Sequence, residues 1–284
     1  MTPSDASNTG NGPEPTADAL YDTVSPAVEE TMLAVVRELS LATPAPPYDP
    51  FYGLDRIGGP SLRVLDRLTR HGDFRKYVTV LDAGAGLGAA ARWLTLRYGC
   101  RVVALDAGAR LAAVGARLSR RARVAARVHG VAGSFEAVPA RDGLFTQIWS
   151  VEALHHASDL GRALRELFRV LRPGCTLALQ EIVRRSRTVP PLGPPWHHAT
   201  SEEYREALAA AGFRHVVHED VTAERPETSS VVTSAQARLE RLLAARLAPD
   251  DPWHAAIAAR RRADAIIGGP DYRVAHFFAR RPSI

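Results

Sequence analysis

The sequence predicts an α/β fold: a doubly wound, mostly parallel sheet with helices on both faces. Three observations carry the prediction. Short β-branched runs alternate with helical-period stretches from residue 77 onward. A glycine-rich turn, "DAGAGLG" at 82–88, joins the first such run to a helix. The length, 284 residues, allows one large domain or one domain plus a small cap, and 46% hydrophobic with 24% charged residues is the usual mix of a soluble globular protein.

The elements follow in order. Residues 1–18 hold Pro, Ser, Thr, Asn, Gly and Asp with almost nothing to bury, so a disordered tail is expected. Between Ala19 and about Leu41, Val24, Val28, Met32, Val35, Val36 and Leu39 recur at helical spacing. A Pro/Gly/Tyr-rich loop at 42–60 and a helix at 61–68 complete an N-terminal helical cap, 19–74. The main domain spans 75–284. Its first strand precedes the glycine turn; the next four lie at "RVVALDA" (101–107), within 123–133, at "FTQIWSV" (145–151) and at "CTLALQEIV" (175–183). Helices separate them, the one in "DLGRALRELFRVLRPG" closed by Pro-Gly. "SEEYREALAAAGF" reads as a capped helix feeding a sixth strand, "RHVVHEDV". Two helical stretches, about 229–247 and 252–266, form an insertion before a last strand at 272–280.

Several function classes lose support. No uncharged apolar run reaches the length of a membrane span, so no membrane partner is expected. The first twenty residues carry neither a basic region nor an apolar run, so they do not read as a signal peptide. Two cysteines, Cys100 and Cys175, make no disulfide framework, and a cytoplasmic setting is the simplest expectation. The net charge of +5 rests on arginine, with Lys76 the only lysine, a skew typical of a GC-rich genome. The cluster Arg117, Arg120, Arg121, Arg123 and Arg127 has no interleaved aromatics to stack on bases, so a solvated helix face is expected and nucleic acid is not.

The glycine turn poses a choice of ligand. Gly84, Gly86 and Gly88 let backbone approach a ligand closely at a helix N-terminus. A pyrophosphate there would be repelled by Asp82, which favours a cationic or amine-bearing ligand instead. Asp106, ending the second strand, is placed to accept two ribose hydroxyls. A sulfonium nucleoside bearing an amino acid, S-adenosylmethionine, meets both demands.

"VLDAGAGLG" followed by "VVALDA" resembles the signature of class I S-adenosylmethionine-dependent methyltransferases. "FTQIWSVEALHHASDLGRALRELFRVLRPGCTLAL" resembles the fourth strand, helix and fifth strand of the small-molecule branch. The resemblance implies a Rossmann-like, seven-stranded sheet with the last strand antiparallel, and the cofactor over the first strands' C-terminal ends. It also implies that Gly84, Ala85, Gly86 and Gly88 line the methionine and ribose, that Asp82 serves the amino group and that Asp106 serves the ribose. Ala107, Ser134, Phe135 and Val151 would complete the cofactor site. Two departures stand out: Ser134 and Thr146 occupy positions where relatives carry acids, which puts the affinity for the cofactor in doubt.

"WSVEALHH" (149–156) carries the candidate catalytic residues Glu152, His155 and His156. A metal reading of Glu152-x-x-His155 needs a helix and a second such pair, and neither is evident, so no metal is expected. Residues past the end of the fourth strand face the crevice where open α/β sheets bind ligands. The segment resembles rebeccamycin-type sugar O-methyltransferases, where a histidine takes a hydroxyl proton, and sterol and geranyl diphosphate C-methyltransferases, where the glutamate stands in the alkene site. Packing of the loop by the histidines is the plain alternative.

Tyr48, Tyr52, Trp196, His197 and His198 are candidates for the acceptor pocket, with 186–200 as a lid and 229–266 as a further wall. The partner expected is a small molecule of specialised metabolism, methylated on oxygen or nitrogen, with carbon the alternative. A non-catalytic cofactor binder and a nucleic-acid methyltransferase are remote alternatives, since "SVEALHH" replaces the latter's usual Pro-Pro-aromatic tetrad. A homodimer is left as one open assembly state.

Overall fold

The computed structural model describes residues 24–42, 51, 53–55, 61–191, 196–226 and 229–283. The expected tail at 1–18, Tyr48 and Tyr52 lie outside the described residues. Seven strands form one sheet: β1 (Thr79–Ala83), β2 (Arg101–Asp106), β3 (Val128–Ala132), β4 (Phe145–Val151), β5 (Leu171–Arg184), β6 (Arg214–Asp220) and β7 (Tyr272–Arg280). Their spatial order is β3-β2-β1-β4-β5-β7-β6. The first five are mutually parallel, while β7 runs antiparallel to β5 and β6. The chain reverses winding direction beside β1, and this is where open α/β sheets place ligands.

Helices are numbered α1 (Pro26–Ala42), α2 (Leu62–Leu68), α3 (Ala89–Tyr98), α4 (Ala109–Arg121), α5 (Leu160–Val170), α6 (Ser201–Ala210), α7 (Ser230–Arg246) and α8 (Pro252–Ile267). One face of the sheet buries Leu81, Ile148, Leu177, Leu179 and Phe277 against Leu164 and Leu167 of α5 and Tyr204 and Leu208 of α6. The other buries Val80, Val102, Trp149, Ala178 and Phe278 against Leu65 and Leu68 of α2 and Trp93 and Leu94 of α3. Alternation of side chains along each strand produces this division. The capping box expected for α6 is present: the Thr200 hydroxyl accepts from the Glu203 amide at 3.1 Å, and Glu203 accepts from the Thr200 amide at 2.7 Å.

The two N-terminal helices separate. Whereas α2 shares its core with the sheet, α1 joins α7, Trp253 of α8 and Leu111, Val114 and Leu118 of α4 in a second apolar cluster that includes Leu87 of the glycine turn. Arg92 of α3 ties this region together. Its guanidinium is buried, pairs with buried Asp55 and donates to the Leu87 carbonyl at 2.6 Å. An arginine buried at this depth needs both kinds of partner to offset desolvation. No described helix is long and apolar enough to cross a membrane.

Candidate active site

The crevice is built on the glycine turn between β1 and α3. Gly84, Gly86 and Gly88 have φ of 82°, 55° and 75°, in the left-handed region that side chains resist. A Cβ at Gly84 would stand 2.3 Å from Cβ of Ala153, so the turn packs directly on the segment that follows β4. Among the described residues, a Cβ at Gly86 would meet nothing within 4 Å, so here they leave the backbone uncovered. The amides of Gly84 and Ala85 both donate to the Leu105 carbonyl at 2.9 Å, joining the turn to β2.

Two carboxylates stand on the strands beside this turn, Asp82 in β1 and Asp106 at the end of β2. Asp106 accepts from the Gly86 amide at 2.7 Å and from the Gly108 amide at 2.9 Å, which holds it half-buried at the rim. Asp82 is buried, and its Oδ1 accepts from the Trp149 indole at 3.0 Å. Its Oδ2 has no hydrogen-bond partner among the described residues. Burial pushes the Asp82 carboxyl up to about 7, against the pull of the Trp149 N–H.

Of the remaining cofactor candidates, Ala107 is exposed and Val151 half-buried at the strand ends. Phe135 lies 3.8 Å from the position a Cβ on Gly84 would take. The Ser134 hydroxyl accepts from the Glu136 amide at 3.0 Å and so braces its own turn. Thr146 exchanges hydrogen bonds with the backbone of Thr79 at the starts of β4 and β1, the end of the sheet away from the crevice. Its departure from the relatives' acid therefore does not touch the cofactor region.

The Glu-His-His segment is divided by the sheet. Strand β4 ends at Val151, Glu152 takes φ of 51°, and a single 3-10 turn covers Leu154–His156. Gln180 and Glu181 are neighbours on β5 and point to opposite faces. Gln180 donates to Glu152 at 2.9 Å, and Glu181 faces His155 Nδ1 at 3.1 Å. Glu152 and His155 consequently take hydrogen-bond partners from opposite faces of β5, although the Glu152 charge still acts on Glu181 and His198.

On the first side, Arg225 grips both carboxylate oxygens of Glu152, at 2.8 and 2.9 Å. Gln180 passes the contact on to His276 Nε2 at 3.0 Å. On the second side, Glu181 is fully buried; Oε1 accepts from the Leu154 amide at 2.9 Å and the Ala153 amide at 3.3 Å. Burial pushes the Glu181 carboxyl up to about 8 although these amides pull it down. The rings of His156 and His198 lie 4.2 and 4.7 Å from that of buried His155. His198 donates from Nδ1 to the Ile182 carbonyl at 3.2 Å, and burial pushes it down to about 2, so it stays neutral.

The C-terminal part of the expected lid is fixed rather than open. The His197 amide donates to the His155 carbonyl at 2.6 Å, and Arg184 holds the His198 carbonyl at 2.7 Å. Trp196 is half-buried and the His197 side chain exposed. Among the described residues, no group of three or more His, Cys, Asp or Glu is placed to hold a metal ion. Sequence reasoning missed Glu181, Gln180 and Arg225. The alternation of β5 was the one signal for the first two; nothing marked Arg225.

Residues 81–179 match the family model described as a methyltransferase domain. The chain is similar to a sarcosine/dimethylglycine N-methyltransferase of Halorhodospira halochloris, 33% identical over 154 residues that cover 52% of this chain and 55% of that one. It is also similar to a malonyl-[acyl-carrier protein] O-methyltransferase of Enterobacter lignolyticus, 34% identical over 155 residues that cover 52% and 58%. The chain thus aligns with little more than half the length of these curated relatives. Among solved structures, the [4+2]-cyclase SpnF superposes with a TM-score of 0.69 at 22% identity, covering 95% of this chain and 97% of that one, which is a likeness of fold.

Proposed function

We propose that the protein transfers the methyl group of S-adenosylmethionine to an oxygen or nitrogen of a small-molecule acceptor. The observation that carries this reading is the uncovered backbone at Gly86, held by Asp106, with the buried Asp82 two residues before the glycine turn and its Oδ2 without a partner among the described residues. Two carboxylates beside a glycine cradle suit a ligand carrying an ammonium and a ribose, and oppose a pyrophosphate. Asp106 is fixed by its two amide contacts at the end of β2, where a carboxylate suits ribose hydroxyls. The cofactor would supply the activated methyl; what remains is to orient the acceptor and take its proton.

The His155–Glu181 pair suits that task. Ionised Glu181 accepts the Nδ1 proton of His155, which makes Nε2 the basic nitrogen and fixes the ring. His156 and His198 pack beside that ring. Glu152 suits the base role less well, because Arg225 and Gln180 already engage its oxygens. A carboxylate so neutralised is poorly placed to stabilise a carbocation, so the geometry favours oxygen or nitrogen over carbon.

The test is incubation with methyl-labelled S-adenosylmethionine and sarcosine, dimethylglycine, malonyl-acyl carrier protein and a metabolite extract, read by mass spectrometry. Label on an oxygen or nitrogen is expected. Label on carbon overturns the assignment of the acceptor atom, and cofactor binding by calorimetry without transfer of label overturns the catalytic reading.

A further inference from the structure

The guanidinium of Arg225 joins the residue after β4 to α8, two parts of the chain with no backbone hydrogen bond between them among the described residues. Nε and Nη2 donate to Glu152, and Nη1 donates to Oδ1 of Asp264 at 3.0 Å. The Arg225 and Glu152 side chains are 13% and 6% exposed, so the pair is largely withdrawn from water. Only arginine presents this planar fork, two parallel donors for one carboxylate and a third for another. Its own carbonyl accepts from the Ser61 amide at 3.2 Å, which anchors it at the head of α2.

The two carboxylates lie in telling places. Glu152 directly precedes Ala153, the residue packed against Gly84. Asp264 lies near the end of α8, in the insertion between β6 and β7. Among the described residues of α8, Trp253 is buried in the cluster with α1 and α7, Ile257 packs against that cluster, and Ile267 is buried with Tyr272 and Val274. Arg225 adds a polar tie between that helix and the end of β4. On the other side of Glu152, the chain of contacts continues through Gln180 and His276 across β5 and β7. Glu152 is thereby braced from the sheet and pulled by the insertion.

We propose that Arg225 is a positioning residue that seats α8 against the end of β4 and so sets the width of the acceptor pocket beside the transferred methyl group. The proposal rests on the methyl-transfer reading above. It gives Glu152 a second task, as the rigid post to which the insertion is tied, and makes the arginine a determinant of which acceptors fit.

Hydrogen–deuterium exchange on the full chain, with cofactor calorimetry and steady-state kinetics, tests it. In Arg225→Met, exchange across 252–267 should rise on the order of tenfold more than it does across β1 and β2. Asp264→Asn should give a rise of the same order and add little on the Arg225→Met background, since both cut one tie. Arg225→Lys, which keeps the charge and loses the fork, should recover part of the protection. For the acceptor that takes label in the screen above, Arg225→Met should raise the acceptor KM about tenfold, with cofactor affinity held within about twofold. Exchange that rises uniformly through the sheet, or an unchanged 252–267 segment or acceptor KM in a protein that transfers label, overturns the proposal. Absence of cofactor binding or of any label in the wild-type protein instead overturns the methyl-transfer reading on which it rests.

Discussion

Nδ1 of His155 lies 3.1 Å from Oε2 of Glu181, a carboxylate with no exposed surface that also receives two backbone amides from the turn carrying the histidine. The contact joins the end of β4 to the middle of β5 and decides which ring nitrogen of His155 can act as a base.

The charge state of Glu181 should therefore appear in the pH–rate profile. Below about 8 the carboxyl is protonated and donates to Nδ1; above it, Nδ1 donates and Nε2 gains the lone pair. Turnover of a protonated acceptor should rise as pH increases toward about 8 and then level. Glu181→Gln should abolish the rise and lower turnover by about 10²–10⁴-fold, with cofactor affinity by calorimetry unchanged. A wild-type rate that ignores pH across this window would sink the assignment.

The same carboxyl affects stability in the opposite sense. Its folded value, about 8, lies above the unfolded value of about 4.3, so between them the folded state binds more protons than the unfolded one. Unfolding free energy should fall as pH rises through that window and level beyond it. Asp82, pushed up to about 7, acts in the same direction. Urea midpoints across pH should show a shallower decline in Glu181→Gln than in the wild type.

The two central glycines should fail differently. Gly84→Ala meets Ala153 at 2.3 Å and is strained at φ 82°, so it should cost about 1–3 kcal/mol of stability as well as cofactor binding. Gly86→Ala has room and pays only the left-handed backbone penalty, about 1–2 kcal/mol, but its methyl enters the crevice. Denaturation and calorimetry on both variants should show the larger stability loss at Gly84 and a loss of affinity at each.

Asp106→Asn leaves one of the two amides, Gly86 or Gly108, without a carboxylate acceptor. The loss of a charged hydrogen bond, about 1.5–3 kcal/mol, predicts a cofactor Kd raised roughly 10- to 100-fold by calorimetry. An unchanged Kd would remove Asp106 from the cofactor site.

Glu152→Gln strands part of the Arg225 guanidinium in a largely buried setting. Breaking a buried pair from one side typically costs about 3–5 kcal/mol, and chemical denaturation should show a loss of that order. If turnover survives in this variant with cofactor binding unchanged, Glu152 has no part in the reaction.

Much of the architecture was legible because it rests on short-range rules. The alternation of strand and helix, the glycine turn before Ala89 and the Thr200–Glu203 box each depend on residues within a few positions of one another. Asp82, Gly86 and Asp106 were legible for the same reason, since a strand end and a turn place them whatever surrounds them. The active segment was legible only as adjacency: Glu152, His155 and His156 are close in sequence, but the left-handed residue and the 3-10 turn aim them at different partners.

The sequence by itself determined the sheet, the glycine turn and the run of residues that follows the fourth strand. Tertiary structure decided the partners. Glu181 lies 26 residues beyond His155, Arg225 73 beyond Glu152 and Asp264 39 further on, and Arg225 is one of 36 basic residues with nothing local to mark it. Partner choice depends on distances in space, and the proton affinity of Glu181 on the water removed around it. Both quantities come into being only when β5 is laid beside β4 and the insertion closes over their ends.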